Sequence, residues 1–309
     1  MSSEQEYRIV HRKEIDADKW DALVADSSQG MIYHMSFYLD AICENWSAVM
    51  NVSGDIALPF AWKRRYGYFN IYQPFFSRYQ AFLHRPDVAP DLIPILKTLP
   101  EAHDMHLCLP QTLPAYPEGT LAEKWVYQLK KLPEQHSELP GTYSENTRRM
   151  IRKATDAGLR MCDVQPDELI RFFRKEKGAD IAEFRDDDYS RLLQLLLAGK
   201  KNNKLKVVGV TNQQELVAVA CFWFFKDRIT YLKGTTSEKG RSTGAMFYLF
   251  DQVILQSSSE YKIFDFGGSR IPSIATFYHR FGAIDQDYFS FTIGRPPAHV
   301  RMLRKLLRK

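Results

Sequence analysis

The chain has 309 residues, 45% of them hydrophobic, with a formal charge of +5 and four cysteines. That length and apolar fraction are enough for two ordinary cores, and the mild net charge understates two local basic patches. Cys43, Cys108, Cys162 and Cys221 lie far apart without a Cys-x-x-Cys pair, which argues against a disulfide framework or structural zinc, and with no apolar leader or run of about 18 apolar residues the chain reads as cytoplasmic.

In chain order, the apolar spacing of Trp20, Leu23 and Val24 predicts a helix over 16–25, and a second helix is predicted over Phe37 to Trp46. Three strands follow at 49–52, 56–62 and 68–72, separated by Ser53-Gly54-Asp55 and by 63–67, an antiparallel meander. Tyr68, Phe69, Tyr72, Phe75 and Phe76 crowd its end; such residues are commonly core, but they also suit an apolar or ring-bearing partner. A short helix over 90–99 and a strand over 105–109 come next. His103 and His106, three apart on that strand, fall on opposite faces, so no metal site is predicted.

The Pro-, Gly- and charge-rich stretch 132–142 predicts a domain boundary, dividing the chain into 1–140 and 141–309. Beyond it, Ser144 can cap a helix bearing Arg148, Arg149, Arg152 and Lys153 that stops at Gly158, and two more helices are predicted over 167–177 and 188–198. The strand order then returns at 205–210, 216–225 and 229–233, an internal duplication of 49–72 at low identity.

The second copy carries something the first lacks. After Lys233 and Gly234 the chain runs through a predicted cationic, glycine-bearing turn, Lys239, Gly240, Arg241, Ser242, Thr243, Gly244 and Ala245, into an amphipathic helix over 245–256. Backbone amides at such a helix start suit a pyrophosphate, although two glycines are as readily explained by a tight turn. The strand Ile263–Phe266 ends in Gly267-Gly268, and a short aromatic helix follows. Asp265-Phe266-Gly267 imitates a kinase triplet, but no His-Arg-Asp catalytic loop accompanies it.

The order of Ser144 to Ala154, the turn at Lys239 to Ala245, Phe264-Asp265-Phe266-Gly267-Gly268-Ser269 and Phe277-Tyr278-His279-Arg280-Phe281-Gly282-Ala283 resembles the tandem GNAT-fold acyltransferases of the FemABX type. The resemblance covers most of the chain and is sharpest from Ser144 onward. It implies an α/β (α+β) chain of two GNAT-like domains, each a mixed, mostly antiparallel sheet flanked by helices, with the donor site in the second. The implied reaction moves an acyl group from acyl-CoA to an amine; relatives that draw aminoacyl groups from tRNA, or a non-catalytic cleft-binding member, are the alternatives. Simple GNAT enzymes hold pyrophosphate on Gln/Arg-x-x-Gly-x-Gly/Ala, where this chain has Arg241 to Met246, and Tyr278 stands where tRNA-dependent relatives often carry lysine.

Amide formation needs a base or an orienting group for the amine, donors for the oxyanion and a proton for the leaving group. Asp265 is the candidate for the first, backbone N–H groups near Lys233 and Gly234 for the second, and Tyr278 for the third, although a tyrosine amid Phe277 and Phe281 is more often core. A basic amphipathic helix over 301–309 is predicted to face solvent, with tRNA phosphates or an anionic membrane surface as the other partners its cations suit.

Overall fold

The computed structural model describes residues 6–65, 67–113, 120–177, 185–257, 259–268 and 271–294. The basic stretch 301–309 and Ser269 lie outside them. The chain divides into two compact units, one of residues 1–125 and 287–309, the other of residues 126–286.

Unit 1 opens with β1 (Tyr7–His11), α1 (Ala17–Asp26) and α2 (Ser36–Ile42), then β2 (Asn45–Asn51), β3 (Ile56–Arg65), β4 (Tyr68–Tyr72), β5 (Leu83–His84), α3 (Leu92–Thr98) and β6 (Asp104–Leu109). Asp16 caps α1, accepting from the amides of Asp18 and Lys19 at 3.0 and 3.2 Å. The second helix is shorter than predicted. It ends at Ile42, and Trp46 lies in β2, where the indole is buried and donates to Asp40 Oδ1 at 2.7 Å. Bulky aromatic residues suit a half-buried pleated surface better than a helix end. Val49, Leu58, Phe60, Ile71, Ile95 and Leu107 form the core, with β5 paired to β3 at its margin.

The chain leaves unit 1 within β7 (Leu121–Lys131). Unit 2 then builds α4 (Glu145–Asp156), β8 (Arg160–Asp163), α5 (Pro166–Lys177), α6 (Asp186–Lys201), β9 (Leu205–Asn212), β10 (Glu215–Phe225), β11 (Arg228–Thr236), α7 (Glu238–Thr243), α8 (Ala245–Ser257), β12 (Ile263–Asp265) and α9 (Pro272–His279). β13 (Ile284–Ile293) returns to unit 1 and pairs antiparallel with β6.

The strand orders of the two units match. Unit 1 reads β1-β2-β3-β4-β6-β13 and unit 2 reads β8-β9-β10-β11-β12-β7. In each, four antiparallel strands are followed by one parallel pair, β4 with β6 and β11 with β12. The duplication read from 49–72 and 205–233 is thus present as β2-β3-β4 against β9-β10-β11. Its last strands are exchanged in sequence: unit 1 is completed by the end of the described chain, and unit 2 by the connection that precedes it.

The unit boundary falls at Trp125/Val126 and not near residue 140. The stretch rich in proline and glycine carries a 3-10 turn, 136–142, and Leu139 and Tyr143 are buried in the core of unit 2 with Phe222, Leu249, Phe250 and Phe281. Helix-breaking residues mark an irregular backbone, and here that backbone packs as part of the unit.

Candidate functional site

Ser144 caps α4 as its sequence suggests, its Oγ accepting from the amide of Thr147 at 3.2 Å. Thr147 Oγ1 in turn donates to the carbonyl of Arg280 at 2.9 Å, which ties the basic helix to the end of α9.

β11 is where the sheet of unit 2 opens. It pairs with β12 only through Arg228, Ile229 and Thr230. Beyond Asp265 the chain stays with β7 instead, the amide of Phe266 donating to Gln128 O at 2.9 Å and that of Gln128 to Gly267 O at 3.2 Å. The second half of β11 continues on β10 alone, to Thr236. Its register steps from Phe222↔Tyr231 to Cys221↔Lys233, so Leu232 is an extra, bulged residue without a ladder partner. A splayed parallel pair with a bulge offers backbone donors and acceptors to an extended ligand on the edge away from β10.

Gly234 lies on this edge for a packing reason, since a Cβ there would stand 2.6 Å from the carbonyl oxygen of Val219. The half-buried Lys233 holds its ammonium 4.9 Å from the Phe173 ring centroid on α5, and burial lowers its pKa. Thr235 is buried, with its hydroxyl unpartnered.

The predicted glycine-bearing turn is a short capped helix. Ser237 Oγ accepts from Gly240 N at 3.1 Å, Ser237 O accepts from Arg241 N at 2.9 Å, and Gly244 closes α7 at φ +81. Ser242 and Thr243 donate their hydroxyls back to Lys239 O at 2.9 and 2.8 Å, so neither is held out for a ligand. Both glycines answer to close packing: a Cβ on Gly240 would lie 2.2 Å from Val217 O, and one on Gly244 would lie 2.8 Å from Met150 O. Lys239 pairs with Glu215 at 2.8 Å and Arg241 reaches Thr236 O at 3.1 Å, both side chains keeping to the surface. The amides that remain are those opening α8 at the buried Ala245, which have no intrahelical acceptor.

Asp265 is fully buried. One oxygen accepts from Arg228 Nη1 at 2.9 Å and the other from the amide of Gly267 at 2.9 Å, so the carboxylate fixes the turn where β12 leaves β11. These partners make it a positioning group more readily than a base in reach of an amine. Tyr278 is also buried, its ring 5.0 Å from Phe266 and 6.4 Å from Tyr231. Burial, helped by the charge of Asp265, raises its pKa and keeps the phenol protonated. Sequence reasoning passed over Arg228, whose importance comes from a partner 37 positions away, and the bulge at Leu232, which shows only in the ladder register.

Outside this region, His103 meets Tyr68 edge-on at 4.8 Å and His106 Nε2 lies 3.0 Å from Ser290 Oγ; among the described residues no group of three or more His, Cys, Asp or Glu is placed to hold a metal. Among them, too, no helix is long and apolar enough to cross a membrane.

A mixed, mostly antiparallel sheet with one splayed parallel pair, a helix opening beside the gap and a duplicated topology defines the tandem GNAT-like fold. The comparisons agree. Residues 142–290 match the model of the acetyltransferase (GNAT) domain, which together with the fold supports an acyltransferase. No curated protein matches by sequence. Among solved structures, the chain is similar to FemX, at 11% identity and a TM-score of 0.65 over 98% of this chain and 100% of that one. It is also similar to a tandem GNAT protein from the clavulanic acid biosynthesis pathway, at 13% and 0.52 over 93% and 98%. L-PGS from Bacillus licheniformis matches at 14% and 0.51 over 95% and 96%. The fold is therefore the FemABX-like tandem GNAT fold.

Proposed function

We propose that unit 2 transfers an acyl group from acyl-CoA to an amine acceptor, with the donor lying along the free half of β11. The observation that carries this is the splay of β11 from β12 after Thr230 and Asp265, beyond which the strand edge leads to the start of α8 without pairing with β12. A thioester donor whose arm carries two amides can pair with such an edge as an added strand, while its pyrophosphate meets the α8 amides and the cations of Lys239 and Arg241. Lys233 and Gly234 would frame the acyl carbon. The backbone at the bulge would donate to the oxyanion, and the proton lost by the neutral amine as the C–N bond forms would pass by way of Tyr278 to the thiolate that leaves as the C–S bond breaks. Asp265 would hold the Gly267 turn that walls the slot.

Thermal unfolding with acetyl-CoA and with a longer acyl-CoA tests this. Saturation at a hundredfold over Kd stabilises by about 2.7 kcal/mol, a rise of about 5–10 °C for a unit of this size. Lys239→Gln with Arg241→Gln, both surface residues, should weaken donor binding about tenfold without lowering the apo melting temperature. If no acyl-CoA protects while aminoacyl-tRNA binds, the donor is aminoacyl-tRNA, as in the FemABX relatives that use it; if neither binds, the transferase reading of this slot fails.

A further inference from the structure

Unit 1 contains a cavity of about 300 Å3 on the face of β1, β2, β3 and β4, near the chain that follows α3. That volume is at the small end of ligand pockets, enough for a molecule of amino-acid size. Its walls divide by chemistry. Trp62 and Phe69 supply an aromatic wall, their rings 5.5 Å apart, and Arg64 lays its guanidinium 5.8 Å from the Phe69 centroid. Glu101 contributes a carboxylate, and among the described residues neither Arg64 nor Glu101 has an ion-pair partner.

At its inner side stands a hydrogen-bond relay. The Trp62 indole can only donate, and it donates to Ser47 Oγ at 2.9 Å. Ser47 is fully buried, and its Oγ lies 3.0 Å from His11 Nδ1. The pocket thus presents Arg64 for an anionic group, Glu101 for a cationic group, and an aromatic wall.

We propose that this cavity binds a small zwitterion bearing an aryl ring, of the class of an aromatic α-amino acid, with its ring on Trp62 and Phe69, its carboxylate on Arg64 and its ammonium on Glu101. The site is separate from the acyl-transfer slot of unit 2 and does not depend on the identity of the donor there.

Isothermal titration calorimetry with three probes tests the assignment: L-phenylalanine, 3-phenylpropionate, which lacks the amine, and phenethylamine, which lacks the carboxylate. The full-length protein should bind L-phenylalanine saturably, and more tightly than either truncated probe. Arg64→Gln should weaken L-phenylalanine and phenylpropionate at least tenfold and leave phenethylamine unchanged; Glu101→Gln should do the reverse. Both side chains are exposed, so neither change threatens folding. Absence of saturable heat for all three probes at millimolar concentration overturns the proposal, as does binding of L-phenylalanine that neither substitution alters.

Discussion

Replacing Asp265 by Asn separates a structural from a chemical role for this carboxylate. The amide keeps the shape and can still accept from Gly267 N, but the charge facing Arg228 disappears. Asp265 is fully buried and the Arg228 side chain is 18% exposed, so the ion pair is largely dry. Breaking a buried pair on one side costs about 3–5 kcal/mol, and the residual exposure of Arg228 places this case at about 3 kcal/mol. For a unit of this size that is about 6–12 °C in melting temperature. Hydrogen exchange of the peptides covering β10 and β11 across a urea series reads unit 2 specifically. The double variant Arg228→Met with Asp265→Asn should lose less than the sum of the two single losses, because both changes remove the same ion pair. Unchanged exchange and an unchanged midpoint in Asp265→Asn, together with a loss of acyl transfer, would refute the positioning role and return Asp265 to the chemistry.

Gly240→Ala should destabilise by about 1–3 kcal/mol even without ligand, since its Cβ would meet the Val217 carbonyl at 2.2 Å, and the same urea series measures this. Ser144→Ala should cost about 1 kcal/mol through the lost α4 cap, read by thermal melting. Lys130 is buried beside Thr142 Oγ1 and the Tyr143 ring, and burial lowers its pKa from 10.5 to about 8. Below pH 8 it is charged in both states and the burial penalty stands in full. Between about 8 and 10.5 the native state releases the proton before the unfolded state does, so stability rises with pH across that window. Lys130→Met should remove that rise, measured as the difference in denaturation midpoint between the two proteins at pH 7.5 and 9.5.

The elements that were legible in the sequence are those whose apolar period is strong or whose punctuation is local. The strands β9, β10 and β11 lie between polar turns, and Ser144 sits three residues before Thr147 as an N-cap requires. β1, β7, β8 and β13 were not legible. β7 begins Leu121-Ala122-Glu123-Lys124 with all four exposed, and only its end, Leu129 to Lys131, pairs with β12. The first half of β13 is exposed likewise, and its partner β6 lies far back in the chain. Charged, solvent-facing strands carry little hydrophobic alternation, so only long-range ladder bonds define them.

For the candidate site the division is similar. Composition and spacing alone determined that the chain from Arg228 to Ala283 holds a strand, a glycine-bearing cationic segment, a helix, a second strand carrying Asp265 and an aromatic helix, because each of these is a local pattern. Tertiary structure decided what the pieces do. Gly240 and Gly244 face the carbonyls of Val217 and Met150, Asp265 is claimed by Arg228, and β11 parts from β12 after three pairs. Each of those facts depends on a backbone or side chain more than twenty residues away. Such contacts are set by how sheets and helices pack, and no local pattern of residue types encodes them.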